Sequence, residues 1–242
     1  SRRLWREGAG FGHDRIGVPA FFLDLADLPG FLVALALQLL QFGFDAAHVF
    51  VQLGMWHEAA ASDEDSFRAS EAWVKRKKLP SSMRDFHSLS WLLYESLQRG
   101  RYRRARETLA ILGPVVAEAP AARLKSVLSD MRARYVVETA SYAELASARD
   151  FDTTGELFAI GLSAARRSDA GKAAMARAEL GRRAGARSGG GLNLDVAVME
   201  KELDAVMAVV AGRGADAIAR MREAVTLERE LPPALGLPRP IK

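Results

Sequence analysis

Two segments of the chain, Gln52-Leu-Gly-Met-Trp-His-Glu-Ala59 and Gln98-Arg-Gly-Arg-Tyr-Arg-Arg-Ala105, follow one template of Gln, Gly, an aromatic residue and Ala at equal spacing. Each segment follows an apolar stretch and precedes another one. The glycines permit a tight turn, and the small alanines allow two helix backbones to approach closely. The aromatic residues are expected to cap the interior of each pair. The predicted turn residues are Gly54, Trp56, Ala59, Gly100, Tyr102 and Ala105.

Weaker copies of the template occur farther along the chain. Gly212 and Ala217 repeat the interval from Gly to Ala, and Met221, Ala224 and Val225 would continue the inward face of the following helix. Gly161 with Ala173 gives a fainter copy. The glycine intervals of 46 and 112 residues are not multiples of about 34, the helix-turn-helix repeat length, so insertions between copies are expected.

From residue 45 onward, Ala, Leu, Arg and Glu dominate, and no alternation typical of strands is present. Gly and Pro punctuate the pattern, among them Gly113-Pro114 and the joint at Ser188-Gly-Gly-Gly191. The pattern predicts an all-α chain of helix pairs. The predicted helices are 45–53, 56–77, 84–99, 102–112, 121–147, 154–167, 169–186, 194–211 and 215–230.

Residues 1–45 differ from the rest and match no pattern that predicts a fold, so they are interpreted as a separate amino-terminal segment or a fragment end. Their apolar stretch over 31–44 is shorter than the roughly 20 residues that a membrane-spanning helix needs. Residues 46–242 form the predicted helical repeat domain.

Composition narrows the chemistry that the chain could perform. Of its 242 residues, 49% are hydrophobic, which is enough for a substantial core, and none is Cys. The absence of Cys excludes disulfides, thiolate zinc sites and cysteine nucleophiles. A net charge of +4 is too small to imply nucleic-acid binding by itself.

At the repeated turns the sequence resembles the tetratricopeptide repeat (TPR) family, whose helix pairs carry Gly, an aromatic residue and Ala in this order. Residues 47–56, 85–92 and 231–242 look like segments of bacterial TPR proteins without assigned activity. The resemblance spans residues 46–242. It implies an α-solenoid that forms part of a longer stack, acts as a non-catalytic cytoplasmic scaffold, and holds a protein or peptide in a concave groove lined by the first helix of each pair. Exposed ends of such a stack would favour homo-oligomers.

Helical spacing selects the residues that would face this groove. Positions three, four and seven apart share one face of a helix. The predicted groove residues are His48, Gln52, His87, Tyr94 and Gln98. His87 and Tyr94 each have an alternative interpretation as packing residues, and Trp56, Phe86, Trp73, Trp91 and Tyr102 are interpreted as core aromatics.

Alternative functions have weaker support. His48 and His87 could converge on a metal, with Asp85 or Glu95 as a third ligand, but no HExxH pair is present, and we expect neither metal nor cofactor. No phosphate-binding or nucleophile motif indicates an enzyme. The acidic run at 63–65 is interpreted as a solvent-facing surface.

The basic runs at 75–78, 99–104 and 182–183 suit phosphate backbones, but nearby acids dilute them. Weak nucleic-acid binding by the Arg-rich turns is therefore an alternative, and solvated helix faces are favoured.

Overall fold

A computed structural model describes residues 47–48, 50–148, 150–186 and 192–231. The predicted amino-terminal segment, its apolar stretch, the glycine-rich joint and all but the first residue of the Pro-rich stretch at 231–242 lie outside these residues. Within them, every regular element is helical and no strand occurs. Residues 47, 48 and 50–52 are helical and are named α1. The other helices are α2 (Trp56–Arg76), α3 (Phe86–Gln98), α4 (Tyr102–Glu118), α5 (Ala122–Thr139), α6 (Thr154–Arg166), α7 (Ala170–Gly185), α8 (Leu194–Val210) and α9 (Gly214–Glu228), with 3-10 turns at Ser81–Met83 and Tyr142–Leu145.

The predicted helix end at Gly113-Pro114 is wrong. α4 continues through Pro114 to Glu118. Proline inside a helix removes one backbone hydrogen bond and costs about 3 kcal/mol. Leu112 and Val115 on either side are buried, so the apolar contacts of the helix outweigh this loss.

The predicted single helix over 121–147 is also wrong. α5 ends at Thr139, and Ala140 adopts left-handed backbone angles with φ of 54°. The Ser141 amide then donates a hydrogen bond to the Val136 carbonyl over 3.1 Å. This break lets the following 3-10 turn place Leu145 in the core, where 1% of its surface is exposed.

Six helix ends share one backbone geometry, and at four of them an alanine follows five residues after the left-handed residue. Lys78 and Ala140, with φ of 53° and 54°, have the geometry without the alanine. Gly54, Gly100, Ser168 and Gly212 have φ of 70°, 65°, 63° and 73°, and after each the next amide bonds to a carbonyl five residues back over 2.8 to 2.9 Å. This is the hydrogen-bonding pattern of a helix that ends in a left-handed residue. The faint copy of the template was predicted with its glycine at Gly161, and this prediction is wrong. Gly161 lies inside α6, and the turn is centred on Ser168.

The alanine of the template is buried in all four turns. Ala59, Ala105 and Ala173 are fully buried, and Ala217 is 7% exposed. The expectation that the aromatic residue caps the pair is wrong for Tyr102, whose side chain is 49% exposed. After the Gly100 turn, the residue buried where the two helices approach is therefore Ala105 and not Tyr102.

The helices pack in adjacent pairs. From α2 to α9 each helix contacts the next one, and in addition α3 contacts α5 and α6 contacts α8. One row of helices therefore runs α3, α5, α6 and α8, against which α2, α4, α7 and α9 pack. His48 adds α1 to this row, because its ring lies 4.7 Å from the Trp91 ring of α3.

Two hydrophobic cores lie within this array, and α5 contributes to both. Met131 and Tyr135 join the first core with residues of α2, α3 and α4. Val136 and Val137, on the other side of α5, join the second core with residues of α6, α7 and α8.

One predicted inward face is exposed. On α9, Ala224 is buried as expected, but Met221 and Val225 are 37% and 39% exposed. No described helix covers that side of α9. None of the described helices is both long and apolar enough to cross a membrane.

Candidate binding surface

The start of α3 is fixed by the side chain of Asp85. Its carboxylate accepts hydrogen bonds from the His87 and Ser88 amides over 3.0 and 3.2 Å, which satisfies two amides that have no partner inside the helix. The Asp85 amide donates to the Ser70 hydroxyl of α2 over 3.0 Å. These bonds place His87 on the first turn of α3 in a defined orientation.

His87 lies one turn before Trp91 and is bonded to it. The Trp91 indole N–H donates to His87 Nε2 over 3.0 Å. An accepting Nε2 requires a neutral ring with its proton on Nδ1. Partial burial, opposed by the charge of Asp85, lowers the pKa of His87, which favours this neutral form. The His48 ring of α1 packs against both, with ring centroids 4.7 Å from Trp91 and 6.1 Å from His87.

Tyr94 continues the same face of α3 toward its carboxyl end. Its ring contacts Trp91 and Trp56 edge-on, with centroid distances of 6.1 and 5.9 Å. The guanidinium of Arg134 on α5 lies 4.9 Å from the Tyr94 ring centroid, within cation-π range. Arg134 is buried, and its burial lowers the pKa of the guanidinium.

Residues from four helices thus meet on one surface, which we name the α1–α3–α5 surface. It consists of His48, Trp56, His87, Trp91, Tyr94 and Arg134. Edge-on aromatic pairs contribute about 0.5 to 1.5 kcal/mol beyond their burial. The surface is therefore held in one arrangement before any partner binds.

A cleft of about 680 Å³ opens next to this surface, between α3, α5 and the start of α6. Apolar side chains line part of it, including Leu93, Val127 and Met131, and His87 and Arg134 reach it from the α1–α3–α5 surface. An apolar lining with few polar groups is typical of ligand-binding clefts.

The cationic groups of the cleft differ in their partners. Arg84 pairs with Glu71 over 2.8 Å and lies over the ring of Phe86. Arg123 is exposed and forms no ion pair with any described residue. Arg123 is therefore the cation of this cleft that is open to a bound carboxylate, and Asp85 and Asp130 are the acidic groups of the lining.

Three of the five predicted groove residues come together. His48, His87 and Tyr94 contact the same tryptophan, whereas Gln52 and Gln98 are exposed at the last residue of α1 and α3. Trp91 is buried as expected, and its ring is also the common contact of these three side chains.

Arg123 and Arg134 were missed by the sequence analysis. Arg132 lies two residues before Arg134 in α5 and is exposed, so no local signal distinguished the buried arginine from its exposed neighbour.

The geometry does not support the metal alternative. His87 uses Nε2 to accept the bond from Trp91, and the two histidine rings stand edge to face 6.1 Å apart. Among the described residues, no group of three or more His, Asp or Glu side chains is arranged to hold a metal ion. Glu95, named as a third ligand, is fully buried and does not line the cleft.

Glu95 instead forms a buried carboxyl pair with Asp63 of α2. The interpretation of Asp63 as solvent-facing is wrong, since only 4% of it is exposed. Burial, together with the charge of Asp63, raises the pKa of Glu95 to about 9, and burial raises the pKa of Asp63 to about 6. Neither residue lines the cleft, so the pair belongs to the α2–α3 interface.

In the Arg-rich turn after α3, two of the four arginines form ion pairs with described residues. Arg104 pairs with Glu64 over 2.8 Å, and Arg103 and Arg104 both lie 3.7 Å from Glu107. Acidic side chains beside these arginines weaken their attraction for phosphates. The turn therefore adds no support to the nucleic-acid alternative.

Comparison of the chain with protein-family models, with curated proteins and with solved structures returned no significant match.

Proposed function

We propose that the chain is a TPR-like α-solenoid and a non-catalytic scaffold, which binds an extended peptide of a partner protein through the α1–α3–α5 surface and its cleft. Four turns with one geometry and a buried alanine support the repeat architecture. In such an array the row containing α1, α3 and α5 corresponds to the first helices of the pairs. We place this scaffold in the cytoplasm.

The observation that carries the binding proposal is the convergence of aromatic, imidazole and guanidinium groups beside an open cleft. Tyr94 offers a half-buried phenol for hydrogen bonds with a peptide backbone, and Leu93 with Met131 offers apolar contact. Arg123 supplies a cation that forms no ion pair within the part of the chain that the structure describes. The fitting partner is therefore a peptide with an apolar residue next to an Asp or Glu.

A random peptide library displayed on phage tests this directly. Selection on the purified chain should enrich peptides that combine an apolar and an acidic residue. The selected peptide should lose about tenfold or more in affinity, measured by fluorescence anisotropy, when Arg123→Glu or Tyr94→Ala is introduced. Met175→Ala serves as the matched control, because Met175 is an exposed apolar side chain on α7 outside the cleft.

Two results would contradict the proposal. One is a selection that enriches no peptide above the level of an empty surface. The other is a selected peptide whose affinity is the same for the wild type, Arg123→Glu and Tyr94→Ala, provided circular dichroism shows that the variants keep their helical content.

A further inference from the structure

A second surface, at the α8–α9 end of the described array, is apolar and exposed. Val209 at the end of α8 is 55% exposed, and Ile218, Met221 and Val225 on α9 are 57%, 37% and 39% exposed. The three α9 side chains are spaced by three and four residues, so they form one stripe along the helix. This surface, named the α8–α9 groove, lies away from the α1–α3–α5 surface.

The shared turn geometry allows equivalent positions to be compared. Counted from the left-handed residue Gly212, the stripe on α9 occupies positions 6, 9 and 13. In α2, counted from Gly54, the same positions hold Ala60, Asp63 and Phe67. Each of these three side chains is 4% exposed, and Phe67 packs on Phe86 of α3.

In the other two helix pairs these positions are less buried, and one side chain of each contacts the following helix. Arg106, at position 6 of α4, donates to the Tyr135 hydroxyl of α5 over 3.0 Å. Arg177, at position 9 of α7, lies 3.3 Å from Glu200 of α8. In all three earlier pairs, this face of the second helix therefore contacts the following helix of the row, and in α2 all three of its side chains are buried by that contact.

Val209 of α8, on the other side of the groove, is likewise exposed at a position that is buried in earlier pairs. It precedes Gly212 by three residues. The residues at that place in α3 and α6 are Leu97 and Ala165, which are 4% and 3% exposed. The α8–α9 groove thus has the form of a helix-binding site whose helix is not among the described residues.

Charges next to the stripe indicate what kind of helix fits. Arg222 and Arg229 are exposed, lie seven residues apart on the same side of α9, and form no ion pair with any described residue. By contrast, Arg220 pairs with Asp204 and Glu223. Two free guanidinium groups beside an apolar stripe are complementary to a helix with acidic residues beside its own apolar stripe.

We infer that the α8–α9 groove is a docking site for an amphipathic helix of a partner protein, with acidic residues next to its apolar face. Ile218, Met221, Val225 and Val209 take the apolar face, and Arg222 and Arg229 pair with the acidic flank. This site is separate from the peptide-binding surface proposed above.

A second copy of this chain fits the groove less well. Identical faces related by a twofold axis meet antiparallel about the middle of the stripe, which lies between Met221 and Arg222. The two Arg222 guanidinium groups would then lie near each other, and like charges in contact disfavour association.

The test uses the full chain and two synthetic amphipathic peptides of roughly 18 residues, about five helical turns. Both peptides carry the same leucine stripe, and one has Glu and the other Lys beside it. The Glu peptide should bind roughly tenfold more tightly than the Lys peptide, with a preference that weakens as salt is raised. Arg222→Glu should reverse the preference, and Ile218→Asp should weaken binding of the Glu peptide by about tenfold or more. Met175→Asp, an exposed site on α7, should change neither.

Four results would overturn the inference. The first is that neither peptide binds, and the second is that both bind equally to the wild type and to Arg222→Glu. The third is a concentration-dependent dimer in analytical ultracentrifugation that Ile218→Asp dissociates, which would assign the groove to a second copy. The fourth is a chain ending at residue 231 that binds the Glu peptide much more tightly, which would assign the groove to residues 232–242.

Discussion

The two hydrophobic cores of the array are built from different side chains. The core between α2, α3 and α4 contains large residues such as Phe67 and Phe86 and borders the buried carboxyl pair Asp63–Glu95. The core between α6, α7 and α8 is rich in alanine, and Gly161 allows α6 to lie against Leu203. Close approach therefore stabilises the second core, whereas the first combines large apolar contacts with a costly polar interface.

The largest expected effect concerns close packing in the second core. A Cβ at Gly161 would lie 2.6 Å from Cδ2 of Leu203 and 2.8 Å from Cβ of Ala176. Gly161→Leu should therefore lower the free energy of unfolding by about 3 kcal/mol or more, measured by urea denaturation. As a control, Gly171→Ala on α7 should cost nothing, because the nearest atom outside its neighbours is 3.9 Å away. Equal effects of both substitutions would contradict the close approach of α6 and α8.

The second-largest expected effect comes from replacing the buried alanine after a turn with a larger residue. It should lower the stability of both cores to a similar extent. Ala105→Trp and Ala173→Trp place a large ring at fully buried positions that are equivalent in their turns. Each should lower the free energy of unfolding by about 1 to 3 kcal/mol or more. Ala110→Trp, at an exposed site on α4, is the matched control. Thermal unfolding that is unchanged by Ala105→Trp would show that this turn is misplaced.

The carboxyl pair should make the stability of the first core depend on pH. Folding raises the pKa of Glu95 from 4.5 to about 9, so the folded chain binds more protons than the unfolded chain between these values. The stabilising contribution of the protonated group is present below pH 4.5 and is lost as the pH rises toward 9. Asp63 acts in the same direction between 3.8 and about 6, and Arg99 opposes the shift of Glu95.

Replacing the ionisable group should remove most of this dependence. Glu95→Gln keeps the shape of the side chain but carries no charge, so it should be more stable than the wild type at pH 8, on the order of 1 to 3 kcal/mol. The difference should shrink toward pH 5. Urea denaturation over this pH range measures it, with the exposed Glu230→Gln as control. A difference that grows as the pH falls would contradict the raised pKa of Glu95.

The smallest effect tests whether the four turns are equivalent. Ser168 adopts φ of 63°, where glycine is favoured over other residues by about 1 kcal/mol. Ser168→Gly should therefore stabilise the chain by up to about 1 kcal/mol, and Gly100→Ser should destabilise it by a similar amount. Melting temperatures that shift in the same direction for both variants would indicate that the two turns differ.

The sequence predicted the helices well, because their signals are local. Residues close together in the chain were enough to predict the duplicated turns at Gly54 and Gly100 and the helices around them. The helix break at Ser168 was predicted, but its equivalence to the glycine turns was not, because a serine in left-handed conformation carries no glycine signal. Pro114 was misread as a helix end because its local cost is outweighed by contacts of α4 with other helices.

Less of the candidate site was predictable. Helical spacing put His48, His87 and Tyr94 on one predicted groove face, and the rings of all three contact Trp91. Arg134 lies about 40 residues after Tyr94, and only the packing of α5 against α3 brings the two side chains together. Asp63 was misassigned because a short acidic run looks the same whether or not one of its carboxylates is buried.

The amino-acid sequence alone determined that the chain forms helices joined by turns with a small buried alanine, because turn geometry and helical periodicity depend on neighbouring residues. The tertiary structure decided which carboxyl groups are buried, which side chains form the α1–α3–α5 surface, and which face of α9 is left open. These properties depend on contacts between helices far apart in the chain, and no local pattern encodes them.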